Sequence, residues 1–304
     1  MGKASSAKQE GDRRSRIAAQ RSADQRTRRR NRLLLASGAI VVVVAVVLAL
    51  VLLQGGNSGS TAGGPSGPTG GALTALTGQV TSVPAATFEQ VGAGTVTSPP
   101  TTITGAALTS GGKPEVLYIG AEYCPYCAAE RWAMIAALSR FGTFSGLTTI
   151  RSGVRDGSGA AEPYPATPSW TFANTSYTSS LLAFASVEEF TNIPDKATGG
   201  YTPLQTPTAE QQALLTKYDS ANSGAIPFLD FGNRFTSVGA TYDPAVLKGL
   251  DWNQIAADLH DPATKVGKAV LGAANYMTAV LCKLTNDKPA TACTPAIQAL
   301  QAKI

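Results

Sequence analysis

The sequence predicts an α/β domain carried behind a membrane anchor and a polar linker. Three observations predict this class. A buried-strand pattern over 115–119 leads into Cys124-Pro-Tyr-Cys127, and a helix with an apolar side follows at once. A strand–turn–strand pattern begins at Gly224. The end of the chain, from Asp251 onwards, is helical in pattern.

Basic charge is confined to the beginning of the 304-residue chain. Residues 1–32 hold eleven Lys or Arg residues and three acidic ones, so the rest carries −3 of the total net charge of +5. An Arg-rich run can bind nucleic acid, but this one directly precedes an apolar run. We therefore expect 1–32 to be a cytoplasmic tail that sets membrane orientation. No nucleic-acid partner is expected for the mildly acidic remainder.

The apolar run extends from Leu33 to Leu53 and contains no charge over its 21 residues. About 20 apolar residues cross a bilayer as a helix. A cleaved signal peptide is the alternative, but its apolar core is usually roughly 7–15 residues long and is followed by a small-residue cleavage site. Residues 33–53 are therefore expected to be a single-pass signal anchor in the cell membrane, with the C-terminal domain outside the cytoplasm.

A linker, a domain and an insertion follow the apolar run. Residues 54–74 are mostly Gly, Ser, Thr and Pro, a composition that predicts a flexible linker. The domain is expected over 75–304, with one or two short strands at its edge between 75 and 112. Six prolines punctuate 152–222, so this stretch is expected to be a large insertion of irregular path.

The other elements are predicted by local patterns. In chain order they are a Cys helix that stops at Gly142, a strand at Leu147–Ile150, strands or an extended segment at 170–172 and 181–190, a helix capped by Thr208 and Gln211, a short helix capped by Asp251, a longer helix from Asp261 to about Leu284, and a last segment from Cys293 to Ala302.

The Cys motif predicts thiol chemistry. With Cys124 at the N-cap, Pro125 occupies the first helical position, where a missing N–H is harmless. The N-terminus of the helix directs N–H groups and partial positive charge at the Cys124 sulfur, which favours the reactive thiolate. Cys124 is therefore the expected nucleophile, and Cys127, one turn on, the expected resolving residue. Tyr126, between them, is a candidate substrate contact.

Two other readings of the motif are weaker. A structural zinc site needs four ligands, whereas the chain has one histidine, His260, and its other cysteines are not closely paired. A purely structural disulfide across two residues would close a very small loop and would gain little chain entropy. Neither a metal nor another cofactor is expected.

Two segments carry a family resemblance. Residues 120–127 (Gly-Ala-Glu-Tyr-Cys-Pro-Tyr-Cys) resemble the active-site turn of thioredoxin-like proteins, and the inner Pro-Tyr pair matches one common in glutaredoxins. Residues 224–227 (Gly-Ala-Ile-Pro) resemble the loop that presents a cis-proline beside the nucleophile. The resemblance implies a thioredoxin-like fold in which Pro227 is cis and Ile226 offers backbone groups to the substrate.

A narrower resemblance covers more of the chain. Residues 121–132 and 274–282 are similar to the Domain of Unknown Function 929 family, an uncharacterised prokaryotic group. One position departs from the thioredoxin pattern, because Tyr118 stands where many thioredoxins carry a buried acid. Glu122 and Glu130 are the candidates for that role, although solvated surface charges are the expectation for both.

The second cysteine pair, Cys282 and Cys293, lies outside any such motif. All four cysteines follow the apolar run, as an oxidising compartment permits. A structural disulfide between Cys282 and Cys293 is expected to pin the last helix to the long one. The alternative is an internal shuttle that relays electrons to the Cys124 pair.

Together these observations predict a membrane-anchored thiol–disulfide oxidoreductase. Its expected partners are thiol- or disulfide-containing proteins. Two alternatives stay open. The domain could be a binding module of the cell envelope that keeps the fold without turnover, or an electron-transfer partner of a membrane redox protein.

Overall fold

The computed structural model describes residues 67–156, 159–219 and 224–304. These residues form seven α-helices: α1 (Gly70–Thr81), α2 (Ala85–Val91), α3 (Pro125–Leu138), α4 (Ala209–Tyr218), α5 (Trp252–Asp258), α6 (Lys265–Leu284) and α7 (Pro295–Leu300). They also form twelve strands: β1 (Thr101–Thr102), β2 (Thr109–Ser110), β3 (Lys113–Gly120), β4 (Thr143–Ser145), β5 (Thr148–Arg151), β6 (Pro168–Thr171), β7 (Ser176–Thr178), β8 (Ala183–Glu188), β9 (Phe190–Pro194), β10 (Tyr201–Pro203), β11 (Phe228–Phe231) and β12 (Phe235–Val238).

The predicted membrane anchor and basic tail lie outside the described residues. Within the described ranges, no helix combines the length and the apolar character that a membrane span requires. The anchor, and the location that depends on it, stay predictions.

Strand β3 is the centre of a six-stranded mixed sheet. It pairs antiparallel with β11 on one side and parallel with β8 on the other, while β12 and β1 extend the sheet beyond β11. Residues 116–119 of β3 are fully buried. A continuous apolar run of this kind is typical of a strand covered on both faces. Val116 and Tyr118 contribute to the large core that contains α3 and α6, whereas Leu117 and Ile119 pack with Leu215 of α4.

Helix α3 crosses the interior and positions the Cys motif. It begins where the sequence predicted, with Cys124 as N-cap and Pro125 in the first turn. It ends at Leu138, one turn before the predicted stop at Gly142. Residues 127–138 are all buried, including the charged residues Glu130, which was expected to be solvated, and Arg131. A helix buried all round must give each of its polar side chains a partner inside the protein.

The one or two short edge strands predicted between 75 and 112 are present as β1 and β2, at the two ends of the strand order β1-β12-β11-β3-β2. The helices α1 and α2, which lie within residues 70–91, were not predicted. Helix α1 also begins inside the segment assigned to the linker, 54–74. Leu73, Leu76 and Val80 face the core at helical spacing. Thr and Gly have low helix propensity, so burial of this apolar face, not propensity, explains the helix.

The insertion contributes to the central sheet. Strand β8, within the predicted candidate 181–190, is the parallel neighbour of β3, and β6 covers most of the candidate 170–172. The predicted strand at Leu147–Ile150 is present as β5, but it pairs only with β6 in a separate two-stranded sheet. The connection from β3 through α3 to a parallel strand is a common α/β crossover.

The C-terminal half follows its sequence signals. The Gly224 pattern forms the β11–β12 hairpin. Capping boxes start α4 at Thr208 and α5 at Asp251, as predicted. Helix α6 is capped by Thr264 rather than by Asp261, because residues 261–264 form a turn before it.

Candidate functional site

Cys124 and Cys127 are free thiols at the beginning of α3. The backbone of Cys124 is extended, and its Sγ accepts a hydrogen bond from the backbone N–H of Cys127 at 3.2 Å. Pro125 takes a position where its missing N–H removes no helical hydrogen bond. The local geometry therefore brings the first sulfur onto the N-terminus of the helix, as the sequence predicted.

The Cys124 sulfur is recessed beside the predicted proline loop. Cys124 is 5% exposed and Cys127 is fully buried. Both pack with Ala121, and Ile226 lies against the same cluster. The Cys124 thiol donates a hydrogen bond to the carbonyl oxygen of Ile226 at 3.8 Å. The Ile226–Pro227 peptide bond is cis, which confirms the prediction for that bond.

The two thiols differ in acidity. Burial raises the pKa of the Cys124 thiol, but hydrogen bonds from Cys127 and from backbone N–H groups, together with the Arg131 guanidinium, lower it further than burial raises it. The net pKa of Cys124 is below its ordinary value. Burial raises the pKa of Cys127 well above its ordinary value, and the neighbouring Cys124 adds to that shift. Cys124 is thus the thiol that ionises first.

A buried ion pair lies behind the thiols. Arg131 of α3 donates to both carboxylate oxygens of Glu188, from Nε at 2.9 Å and from Nη2 at 2.6 Å, and both side chains are fully buried. The Arg131 Nη2 group also donates to the carbonyl oxygen of Ala121 at 2.7 Å, and the same oxygen accepts the Cys124 N–H at 3.2 Å. Arg131 therefore holds the turn from which Cys124 projects.

The ion pair between Arg131 and Glu188 was not predicted from the sequence. Arg131 is four residues after Cys127 and so shares its side of the helix, which was the available signal. Glu188 gave none, because it lies 57 residues from Arg131 along the chain.

Glu122 and Glu130 are not surface charges, and that expectation is wrong. Their exposures are 8% and 0%. Glu122 accepts a hydrogen bond from the Thr171 hydroxyl at 2.6 Å, and Glu130 accepts hydrogen bonds from the backbone N–H and the hydroxyl of Thr241. Burial raises the pKa of Glu130 to about 7. Because their partners come from distant segments, the enclosure of both carboxylates has no local sequence signal.

Aromatic residues of the insertion line both sides of the motif. Tyr123 stacks on Tyr201 with ring centroids 4.4 Å apart, and Phe190 meets Tyr123 edge-on. Tyr126, 38% exposed, contacts Tyr164 edge-on at 5.7 Å. The predicted substrate contact Tyr126 thus lies at the rim of the site, and the other four rings were not predicted.

Cys282 and Cys293 form the predicted disulfide, with Cα atoms 5.7 Å apart. Both residues belong to the large core around α6, not to the cluster around Cys124. Among the described residues, they and Asp287 form the one group with metal-ligand spacing. Their sulfurs are bonded to each other, so neither is a thiolate ligand.

Fold and site thus define a mixed α/β protein with a free, asymmetric cysteine pair at a helix N-terminus. A family model described as Domain of unknown function (DUF929) matches residues 99–283. Because this match covers more than half of the chain, the protein belongs to that family. The matched region contains Cys124, Cys127 and Cys282. Comparisons with curated proteins and with solved structures give no match.

Proposed function

We propose that this protein is a thiol–disulfide oxidoreductase of thioredoxin-like fold, anchored in the membrane and acting outside the cytoplasm. One observation carries the proposal. The sulfur of Cys124 lies at the N-terminus of α3 with a lowered pKa, next to a buried Cys127 whose pKa is raised. A nucleophile and a protonated resolving thiol require this difference.

The order of elements supports the thioredoxin-like part of the proposal. Strand β3 runs into the Cys motif and α3, and the Ile226–Pro227 loop leads into the β11–β12 hairpin and the helical end. Pairing of β11 with β3 brings that loop beside the motif. These are the two blocks on which the resemblance was based.

The proposed reaction has two steps. The Cys124 thiolate attacks one sulfur of a substrate disulfide, so that a mixed disulfide forms and the other substrate sulfur leaves as a thiolate. Cys127 then loses its proton and attacks Cys124 Sγ, which forms the Cys124–Cys127 disulfide and releases the second substrate sulfur. Two electrons pass to the substrate, and its two thiolates take up protons. The reverse sequence oxidises a dithiol.

The surface around the motif supports protein substrates. Large apolar side chains that are exposed in the described residues are Tyr126, Val154, Phe190, Ile193 and Leu204. One belongs to the Cys motif and the other four to the insertion. Tyr126 and Phe190 flank the motif, since Phe190 packs against Tyr123, and exposed apolar side chains of this kind are typical of surfaces that bind other proteins.

The low exposure of Cys124 favours a second candidate. A recessed sulfur, 5% exposed, also fits a binding module of the cell envelope that retains the fold without turnover. An electron-transfer partner of a membrane redox protein would need the same cysteine pair and the anchor. These candidates differ in whether the pair exchanges with soluble thiols.

A redox titration of the full chain in detergent tests the proposal. The chain is equilibrated with glutathione at defined ratios, alkylated and analysed by mass spectrometry, with Cys124→Ala as the control. We expect a reversible two-electron transition at Cys124–Cys127, while Cys282–Cys293 stays oxidised. A potential above roughly −250 mV would indicate an oxidant or isomerase, and one below roughly −270 mV a reductant. A pair that does not exchange would support the binding module.

The membrane anchor is tested separately. The full chain is expected to resist extraction from membranes by alkaline carbonate and to be released by detergent. Protease added to spheroplasts should digest the domain and spare a tag placed before residue 33. Release by carbonate would contradict the anchor without bearing on the thiol chemistry.

A further inference from the structure

The buried position of Cys127 raises a question of proton transfer. Its thiol must ionise before it can resolve a mixed disulfide, yet Cys127 is fully buried and its pKa is well above the ordinary value. Water does not reach the sulfur directly. A proton acceptor inside the protein would remove this obstacle.

The Tyr118 hydroxyl lies beside the Cys127 sulfur. A Cβ at position 120 would overlap the Tyr118 hydroxyl and would lie 3.1 Å from Cys127 Sγ, so the hydroxyl fills the space that a side chain at Gly120 would take, next to the Cys127 sulfur. Tyr118 is fully buried and packs edge-on against Phe172. Its hydroxyl therefore has few directions in which to donate.

The acceptor of the Tyr118 hydroxyl is Glu188. The hydroxyl donates to Glu188 Oε2 at 3.5 Å. That oxygen also accepts from Arg131 Nη2, and the second oxygen, Oε1, accepts the Phe172 N–H at 3.1 Å. Burial raises the pKa of Glu188, although Arg131 opposes the shift. A carboxylate with a raised pKa is a better proton acceptor than an ordinary one.

From these contacts we infer that Glu188 is the buried proton acceptor for Cys127, reached through the Tyr118 hydroxyl. The inference rests on the proposed function. The Cys127 proton moves to the Tyr118 oxygen as the Tyr118 proton moves to Glu188 Oε2. The Cys127 thiolate then bonds to Cys124 Sγ, and the electron pair of the broken mixed disulfide leaves on the substrate sulfur, which takes a proton from water. Glu188 then releases the proton to solvent, which restores its ion pair with Arg131, and Cys127 takes up a proton when a dithiol donor reduces the pair again.

Arg131 makes the transfer electrostatically feasible. It lies close enough to influence both thiols and is paired with Glu188. Proton transfer moves one negative charge from Glu188 to Cys127, so Arg131 keeps one anionic partner before and after the step. The transfer itself therefore leaves no buried ion unpaired, and later loss of the proton from Glu188 pairs Arg131 again once the disulfide has formed. The groups that affect these titrations are Tyr118, Glu122, Tyr123, Arg131, Glu188 and the Cys124 thiol.

The inference is tested by reaction with Ellman's reagent, which releases thionitrobenzoate in two phases. The reduced full chain in detergent is mixed with the reagent, and Cys124 releases the first thionitrobenzoate as it forms a mixed disulfide. Attack by Cys127 releases the second. We expect Tyr118→Phe to leave the first phase unchanged and to slow the second by at least about tenfold near neutral pH, with the difference narrowing as pH rises.

The matched control is Tyr242→Phe. Tyr242 is also buried and donates its hydroxyl to the Ala129 carbonyl of α3, so the variant loses a buried tyrosine hydrogen bond that involves neither thiol nor Glu188. It should keep the wild-type second phase. Glu188→Gln, if folded by circular dichroism, should slow the second phase as Tyr118→Phe does.

Three results would decide against the inference. A second phase at the wild-type rate in Tyr118→Phe would overturn it, as would the same result in folded Glu188→Gln. If Tyr242→Phe slowed the second phase equally, the slowing would reflect a general loosening of α3 rather than proton transfer through Tyr118. A wild-type chain that shows the first phase without the second would instead contradict the proposed function.

Discussion

The two cysteine pairs differ in the charge of their surroundings rather than in their burial. They are Cys124–Cys127 and Cys282–Cys293. All four residues are buried. Cys124 receives the N–H groups of a helix N-terminus and lies near Arg131, whereas Cys282 is in the last turns of α6, where the partial charge is negative. The first environment stabilises a thiolate, and the second does not. We therefore expect thiol reactivity at Cys124 and not at Cys282–Cys293.

The largest expected effect is loss of exchange when Cys124 is removed. Cys124→Ala should lower the rate of disulfide exchange by at least about a thousandfold, because no other thiol has this environment. The double variant Cys282→Ala, Cys293→Ala should keep exchange within about twofold of wild type. Reduction of insulin or of a fluorescent disulfide peptide measures both. Loss of exchange in the double variant would support the electron shuttle instead.

The next effect is on stability, and here the Cys282–Cys293 pair should matter more than the Cys124–Cys127 pair. Removing Cys282–Cys293 should lower the free energy of unfolding by about 3 kcal/mol, because the bridge closes a loop of 11 residues in the unfolded chain. Urea unfolding followed by circular dichroism measures the loss. Reduction of Cys124–Cys127 should have a smaller effect. A loss under about 1 kcal/mol would mean that packing alone holds α7 in place.

A third effect concerns Arg140, which joins α3 to the disulfide region. Its Nη2 group donates to the Ala292 carbonyl at 2.8 Å, next to Cys293, and its Nη1 group donates to Thr278. Arg140→Met should destabilise the protein by about 2 kcal/mol and make the disulfide easier to reduce with dithiothreitol.

Arg151→Met is the matched control for Arg140→Met. Arg151 also donates to a carbonyl, that of Ala166, and covers an aromatic ring, but it lies away from the disulfide. Its substitution should leave the reducibility of Cys282–Cys293 unchanged. Equal disulfide lability in both variants would contradict the role given to Arg140.

The smallest effect is the difference in alkylation between Cys124 and Cys127. In the reduced chain, iodoacetamide should modify Cys124 at least about tenfold faster than Cys127 at neutral pH, because only the thiolate reacts. Since the pKa of Cys124 is lowered, its alkylation should persist to a lower pH than that of an ordinary cysteine and then fall as the thiolate is protonated. Quenched samples analysed by mass spectrometry give both rates. Equal rates would remove the distinction between nucleophile and resolving thiol.

The sequence by itself determined the features that depend on near neighbours. The N-cap at Cys124, the capping boxes at Thr208 and Asp251 and the β11–β12 hairpin follow from residues within a few positions of each other. The Cys282–Cys293 disulfide was predictable for a related reason, because the two cysteines are close in sequence.

Only the tertiary structure decided the features that join distant segments. The parallel pairing of β8 with β3 places Glu188 behind the thiols, and no local pattern marks that residue as the partner of Arg131. The burial of Glu122 and Glu130, and the helical state of α1, likewise depend on segments that pack from elsewhere in the chain. The physical reason is that a buried polar contact is set by the path of the whole chain, whereas caps and turns are set by the hydrogen bonds of a few adjacent residues.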